Sequence, residues 1–462
     1  MHASHRLCSE QQKRVQRRAE QTDSYAFFNL LTGPQLLENV EELLPVHRER
    51  LFPPTETLSM FLRQVQSVDG SCQQAVSEAG LKRIIGALPR CSTRTSAYCQ
   101  ARARLPTQMV SSLARQVGGM VSESAPAWWH WQNRPVRLVD GATVTLADTA
   151  ENQALYPQPS SQKAGLGFPI CRVVALICLG SGGVLNAATG PCEGKGGDEQ
   201  SLLRGMLDTL ETGDILLGDA FYPTYFLLCD LAQRGVDGVF EQHGARKRST
   251  DFTTGAKLGA RDHLIVLDKP KKKPDWMTWE AYNQAPATLK VREFKAGGKI
   301  MVTTFLDPKR VPKNQLKVLY RRRWHVELDL RNIKTTLGME HLRCKTPEMA
   351  IKELWVYLLA YNMIRLLMAQ AALLADQVPR QLSFKHTVQI WLSWQQRGGT
   401  THDGVTMHAL LVLIAEPRVG LRSGRIEPRA VKRRPKPFPL LTKPRKEARA
   451  EVIEHGHPKK QR

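Results

Sequence analysis

Apolar positions recur at helical spacing early in the chain. Leu58, Phe61, Leu62 and Val65 fall at i, i+3, i+4 and i+7, and Thr55 or Thr57 can cap that helix. Residues 1 to about 130 read as helical, punctuated by Gly70 and Gly80. After Pro135 the pattern changes to short apolar runs bounded by turn residues, the signature of strands. Pro135 to Val139 is a short strand ending in Asp140-Gly141. Arg172 to Leu179 and Val184 to Thr189 are two more, joined by the hairpin signal Gly180-Ser181-Gly182-Gly183. Glu199 to Leu210 is an amphipathic helix carrying Leu202, Leu203, Met206 and Leu210. Asp214 to Asp219 is a strand that again ends in Asp, Tyr222 to Arg234 a helix, and Gly238-Val239-Phe240 the start of a further strand. The order β-β-β-α-β-α-β predicts an α/β domain with a mixed sheet flanked by helices.

From about 242 to 311 strand-like pieces (His263 to Leu267, Leu289 to Phe294, Ile300 to Phe305) surround the basic loop Lys269 to Pro274. Tyr320 to Lys334 contains neither Gly nor Pro and predicts one helix, with Gly338 ending the region. Thr346-Pro347-Glu348 opens another with cap, N1 proline and acidic first turn. This helix, to about Leu374, is apolar on most sides, but Lys352, Glu353, Asn362 and Arg365 argue against membrane insertion and for central packing. Ser383 to Gln395 is a further helix.

Charge narrows the function. Against 43 Asp and Glu stand 66 Lys and Arg, a net charge of +23, which favours a polyanionic partner, nucleic acid first. The tail from Arg418 holds 15 Lys/Arg and 4 Glu, about half of that excess. Small residues with Arg94, Arg102 and Arg104 between Ser92 and Pro106 make a thin basic helix suited to a DNA groove, or an ordinary Ala-rich helix with an exposed basic face. No signal peptide or membrane span is visible, and the nine scattered Cys form no Cys-x-x-Cys pair. Cys171, Cys178 and Cys229 read as small core residues, and a cytoplasmic, DNA-associated protein in a reducing compartment is expected.

The densest chemistry lies in Tyr320 to Lys334. At roughly 100° per residue, Arg323 and Lys334 fall about 40° and 20° to one side of Glu327, and Tyr320 about 20° to the other. A carboxylate flanked by two cations and a phenol suits a metal ion beside a phosphate backbone; a solvated face with an Arg323–Glu327 ion pair uses the same residues. The spacing Tyr320-x2-Arg323-x3-Glu327-x6-Lys334 resembles the Tyr–Arg–Glu–Lys (YREK) signature of bacterial insertion-sequence DDE transposases. Asp140-Gly141-x-Thr143, Gly218-Asp219-x-x-Tyr222 and the stretch Arg425 to Lys436 also resemble that group.

The resemblance implies a ribonuclease H-like core with a mostly β insertion. It implies that residues 1–130 form an N-terminal helical DNA-binding region, 131–241 the first part of the catalytic core and 242–311 the insertion. On the same basis residues 312–337 carry the signature helix, 338–417 a C-terminal helical region and 418–462 a basic tail. It further implies that Asp140, Asp219 and Glu327 are the catalytic triad and hold Mg²⁺, two ions, with Mn²⁺ as a substitute. By the same resemblance Tyr320, Arg323 and Lys334 hold DNA phosphates, while Trp324 stacks there or packs in the core. Arg94, Arg102, Arg104, Lys432, Arg433 and Arg434 are expected to add DNA contacts. Relatives can place an aromatic on the last insertion strand to stack on a displaced base. Ile300 to Thr304 has no Trp, leaving Phe305, Trp276 and Trp279 as stand-ins or core residues. Glu241 stands where relatives often have Arg. The partners implied are the element's terminal inverted repeats and target DNA, the assembly a homodimer on paired ends, and no membrane is involved. A metal-dependent nuclease that cuts without joining and a catalytically inactive DNA-binding protein are the alternatives.

Overall fold

A nine-stranded sheet organises the chain, and its strand order places the two aspartates side by side. The computed structural model describes residues 43–44, 52–85, 91–194, 196–396, 404–419 and 442–456. Among the described residues four helices precede the sheet: α1 (Pro54–Gln66), α2 (Cys72–Ile85), α3 (Ser96–Arg104) and α4 (Thr107–Glu123). They lead into β1 (Val136–Thr145), α5 (Ala150–Leu155), β2 (Ile170–Cys178), β3 (Val184–Pro191), α6 (Glu199–Arg204), β4 (Ile215–Gly218), α7 (Tyr225–Gln233) and β5 (Asp237–Glu241). The strands run β3-β2-β1-β4-β5, with β2 antiparallel to β1 and β4 and β5 parallel to it, the topology of a ribonuclease H-like core.

Both faces of this core are covered, and the residues alternate accordingly. On β2, Val173, Ala175 and Ile177 face one hydrophobic cluster, while Val174 and Leu176 face the other. The second cluster is completed by Leu202 and Leu203 of α6 and Leu227, Leu228 and Leu231 of α7. On the opposite face lie α4 and the long helix α12 (Pro347–Leu374), so the sheet is a filled middle layer.

The insertion does not form a separate body. Helix α8 (Gly244–Lys247), β6 (Ala256–Gly259), β7 (Asp262–Asp268), α9 (Trp279–Gln284), β8 (Thr288–Ala296) and β9 (Lys299–Thr303) continue the core sheet, because β9 pairs antiparallel with β5 at Val239↔Thr303, Phe240↔Val302 and Glu241↔Met301. Ile265, Val291 and Val302 pack into the same cluster as Leu216 and Phe240.

The expected single helix over Tyr320 to Lys334 is three pieces. Helix α10 (Lys313–Arg321) ends, Arg322 and Arg323 donate to Leu319 and Tyr320 carbonyls in a tightened i−3 pattern, α11 (Trp324–Arg331) resumes, and Asn332–Thr336 is a π turn. No Gly or Pro causes the break. Leu316 and Leu319 on one side, and Val326, Leu330 and Ile333 on the other, are buried in one cluster, and the tightened turn brings both apolar sets onto it.

Helix α12 packs centrally, as its internal polar residues predict: it is long and apolar enough to cross a membrane, yet Lys352, Glu353, Asn362 and Arg365 are all buried. Asn362 donates to the Ala114 and Val184 carbonyls and accepts from Val184 N–H, joining α4 and β3 to α12. Lys352 donates to the Arg102 and Ala103 carbonyls, capping α3. Helices α13 (Phe384–Gln396), α14 (Gly404–Ala415) and α15 (Arg445–His455) complete the described chain.

Candidate active site

Strand β1 is longer than the sequence suggests. It continues past Asp140 to Thr145 against β2, whereas its pairing with β4 covers Val136–Leu138. Asp140 therefore lies in mid-strand, at the point where β1 and β4 cease to be bonded. Extending the parallel register of Leu138 with Leu217 sets Asp140 beside Asp219, the residue after β4. Asp219 closes a tight turn by accepting from Phe221 N–H at 2.8 Å.

The signature segment approaches the same place. Arg323 Nη1 donates to Asp140 Oδ2 at 3.2 Å, and its Nη2 donates to Glu327 Oε1 at 2.9 Å. Asp140, Glu199, Glu327, Lys334, Arg172 and Arg331 line one cleft of about 510 Å³. Burial pushes the Asp140 carboxyl up to about 6, and Asp219 and Glu199 add to the rise against Gly141 N–H and Arg323. Burial opposes the Arg323 charge, but Tyr320, Asp140 and Glu327 outweigh it and its pKa rises. Tyr320 is half-buried beside Arg323 and Glu241, and burial pushes its phenol up to about 12.

The clustered donors are hard carboxylate oxygens, the chemistry of Mg²⁺ or Mn²⁺ rather than of a soft metal. In this conformation, among the described residues, no three His, Cys, Asp or Glu side chains enclose an ion position. Arg323 spans the gap between Asp140 and Glu327 and supplies the positive charge there. The donors suit a divalent ion by their chemistry, and in this conformation the Arg323 guanidinium is the counter-ion of the Asp140 and Glu327 carboxylates.

A second network holds α11 in place. Asp329, two residues beyond Glu327 and on the other side of the helix, is buried and accepts from Arg365 and, at 2.8 and 3.1 Å, from Arg380. Arg365 also donates to Tyr361 Oη, whose hydroxyl donates to the Gly182 carbonyl, and Arg380 reaches the Cys178 carbonyl. This ties the helix bearing Glu327 to α12 and to the β2–β3 turn. Nearby His325 is held near 4 by burial and by Arg380, so it is neutral at physiological pH.

The family model described as "Transposase DDE domain" matches residues 131–363. The chain belongs to the DDE transposase family. It is 28% identical over 357 residues to "Transposase InsG for insertion sequence element IS4" of Escherichia coli (strain K12), covering 75% of this chain and 78% of that relative. It is 32% identical over 141 residues to "Putative transposase InsZ" of the same organism, covering 30% and 46% of the two chains. A solved structure, "Cryo-EM structure of piggyBac transposase synaptic complex with hairpin DNA (SNHP)", covers 84% of each chain at 8% identity and a TM-score of 0.44. This transposase shares its family's general use of divalent metal ions and of DNA as substrate.

The remaining predicted site residues fall into three groups. Trp324, 58% exposed, is not a core residue, and Lys334 lines the cleft. On α3, Arg94 just before the helix and Arg104 at its end are exposed. Arg102 departs from the expected exposed basic face: it is buried, its guanidinium lies 4.7 Å from the Phe61 ring and 5.2 Å from that of Tyr98, and it donates to Gln64. Its charge is used inside the N-terminal helices and cannot reach a groove. Lys432, Arg433 and Arg434 lie outside the described residues. Of the stand-in aromatics, Phe305 is buried against Trp131, while Trp276 and Trp279 are exposed, the former under the Arg204 guanidinium at 3.9 Å.

Sequence reasoning missed Glu199, Arg172 and Asp329. Glu199 reads as the first residue of an amphipathic helix and Arg172 as an ordinary strand residue. Asp329 had a usable signal: an Asp on the apolar side of a helix requires a buried cation.

Proposed function

We propose that this transposase performs Mg²⁺-dependent DNA strand cleavage and strand transfer at the terminal repeats of an insertion sequence, with Asp140, Asp219 and Glu327 holding the divalent ions. The observation that carries the reading is the convergence of Asp140 and Glu327 on the two ends of one guanidinium, with Asp219, like Asp140, two positions past the last paired residues of β4 and β1. Divalent ions, two in the favoured form, supply activation of an oxygen nucleophile and stabilisation of the leaving 3′ oxygen. The chain's own residues bind and orient. Arg323, Lys334 and Tyr320 hold phosphates of the cleaved end, with Arg172 and Arg331 lining the same cleft. Asp329, through Arg365 and Arg380, fixes the helix that presents Glu327. The nucleophile is water for cleavage and a DNA 3′-hydroxyl for joining, so no side chain forms a covalent intermediate. Two chains act on two paired ends.

Incubating the protein with its element's own ends and Mg²⁺ tests the reading. Excised and joined products are expected. Cut products without joining favour a nuclease, and end binding without cutting overturns catalysis by this chain.

A further inference from the structure

Both aspartates are flanked by a glycine, and each glycine leaves room for one member of a hydrogen-bonded pair. A Cβ on Gly141 would lie 2.3 Å from Cδ and Oε1 of Glu199. A Cβ on Gly218 would lie 2.9 Å from Cδ2 of Tyr222. The Tyr222 hydroxyl in turn donates to Glu199 Oε2 at 2.9 Å. Tyr222 is fully buried, and burial, then the Glu199 charge, drives its pKa far up, so the phenol stays protonated and keeps donating. At its other end Glu199 is set by the start of α6, where the N-cap Asp198 accepts from Ser201 N–H at 3.0 Å.

Glu199 thereby joins Asp140 and Glu327 in lining the cleft, with Glu340 further along it and Asp219 just outside it. Glu199 sits over Gly141 rather than on the Asp140 side chain, yet its charge still adds to the rise in the Asp140 pKa, and like charges that near repel unless a cation is shared between them. A role confined to starting α6 would explain the helix but neither glycine, and it would not need Glu199 over the backbone of the residue following Asp140. We propose that Glu199 is a fourth acidic ligand of the divalent-ion site and that Tyr222 is its positioning residue. The hydroxyl occupies Oε2 and leaves Oε1, the oxygen nearer Gly141, as donor. This rests on the assignment of Asp140, Asp219 and Glu327 to the same ions.

Titration of full-length protein with Mn²⁺ alone, following free Mn²⁺ by electron paramagnetic resonance, tests it without reference to catalysis. Glu199→Gln keeps an acceptor for Tyr222 and removes the charge; it should weaken Mn²⁺ binding at least tenfold, roughly the scale of a perturbed metal site, with Tm unchanged. Tyr222→Phe should weaken binding by about tenfold, and raised Mn²⁺ should restore its strand cleavage, because every ligand remains. Glu199→Gln, at a half-buried position, carries the test alone if Tyr222→Phe lowers the Tm. Wild-type Mn²⁺ affinity in Glu199→Gln, beside weakened binding in Asp140→Asn, overturns the role of Glu199 and leaves the triad standing. Wild-type affinity in Asp140→Asn and Glu327→Gln as well overturns both.

Discussion

The guanidinium of Arg323 meets the carboxylate of Asp140 at 3.2 Å across 183 residues of chain. The same guanidinium grips Glu327, one turn further along, at 2.9 Å. One cation thus holds two proposed metal ligands together and is also a proposed phosphate contact. Arg323→Ala should weaken end binding by roughly 1–3 kcal/mol, the scale of a charge-assisted hydrogen bond. It should also slow single-turnover cleavage at saturating DNA, and extra Mg²⁺ should not rescue it. Arg323→Lys keeps the charge but loses the two-pronged geometry, so it should fall between the two. Wild-type binding and cleavage in Arg323→Ala would reduce the arginine to a surface ion-pair partner.

Single replacement of Asp140, Asp219 or Glu327 by the matching amide should abolish cleavage and joining while leaving end binding largely intact. Gel-shift and product assays on the same preparations check it. A variant that still cleaves at near wild-type rate removes its residue from the triad.

Asp140 also makes a stability prediction. Burial lifts its carboxyl from 3.8 to about 6 in the folded chain. A carboxyl that holds its proton more tightly when folded stabilises the protonated protein. Stability from this group is therefore present at acid pH and is lost as pH rises through the folded value. In chelator near neutral pH, Asp140→Asn should be more stable than wild type by about 1–3 kcal/mol, and the gain should shrink at acid pH. Thermal unfolding of both proteins across pH measures this, and equal Tm values throughout would contradict it.

Breaking the Asp329 network should have the opposite sign. Asp329→Ala leaves Arg365 and Arg380 without their buried counter-charge, which costs about 3–5 kcal/mol for a buried pair that loses one partner. The lowered Tm should be accompanied by slow cleavage even well below the transition, since α11 is no longer clamped to α12. An unchanged Tm would show that the two arginines are neutralised some other way.

The arginines of the α3 segment should divide. Arg102→Ala removes packing on Phe61 and Tyr98 and should lower the Tm. Arg94→Ala and Arg104→Ala should leave the Tm alone and weaken DNA binding with a shallower salt dependence. Equal effects on binding from all three would contradict the burial of Arg102.

Local chemistry decides how much of the fold and of the site can be read from the chain alone. Asp140 and Asp219 stood out as candidates because each follows an apolar run, and the Tyr320, Arg323, Glu327 and Lys334 spacing singled out Glu327 as the proposed third member. The β order of the core was legible because its strands are short apolar runs separated by turns. Burial of a charge is a tertiary property: nothing local distinguishes Arg102 from Arg104, yet one stacks on Phe61 and the other faces solvent. The break at Arg322 and Arg323 left no mark either, since no breaker residue produces it. Glu199 was invisible for a related reason: it fills the space a side chain at Gly141 would take, with α5, β2 and β3 lying between the two in the chain.

Because β9 pairs with β5, the insertion cannot be treated as cargo on a smaller enzyme. Deleting 242–311 and rejoining the chain would strip β5 of its neighbour and bare the row of N–H and C=O groups from Val239 to Glu241. It would also remove Ile265, Val291 and Val302 from the packing over Phe240. An open, apolar edge of that kind recruits other chains. The shortest soluble form of this transposase therefore keeps all nine strands, and any attempt to pare it to its triad should yield aggregate before it yields a nuclease.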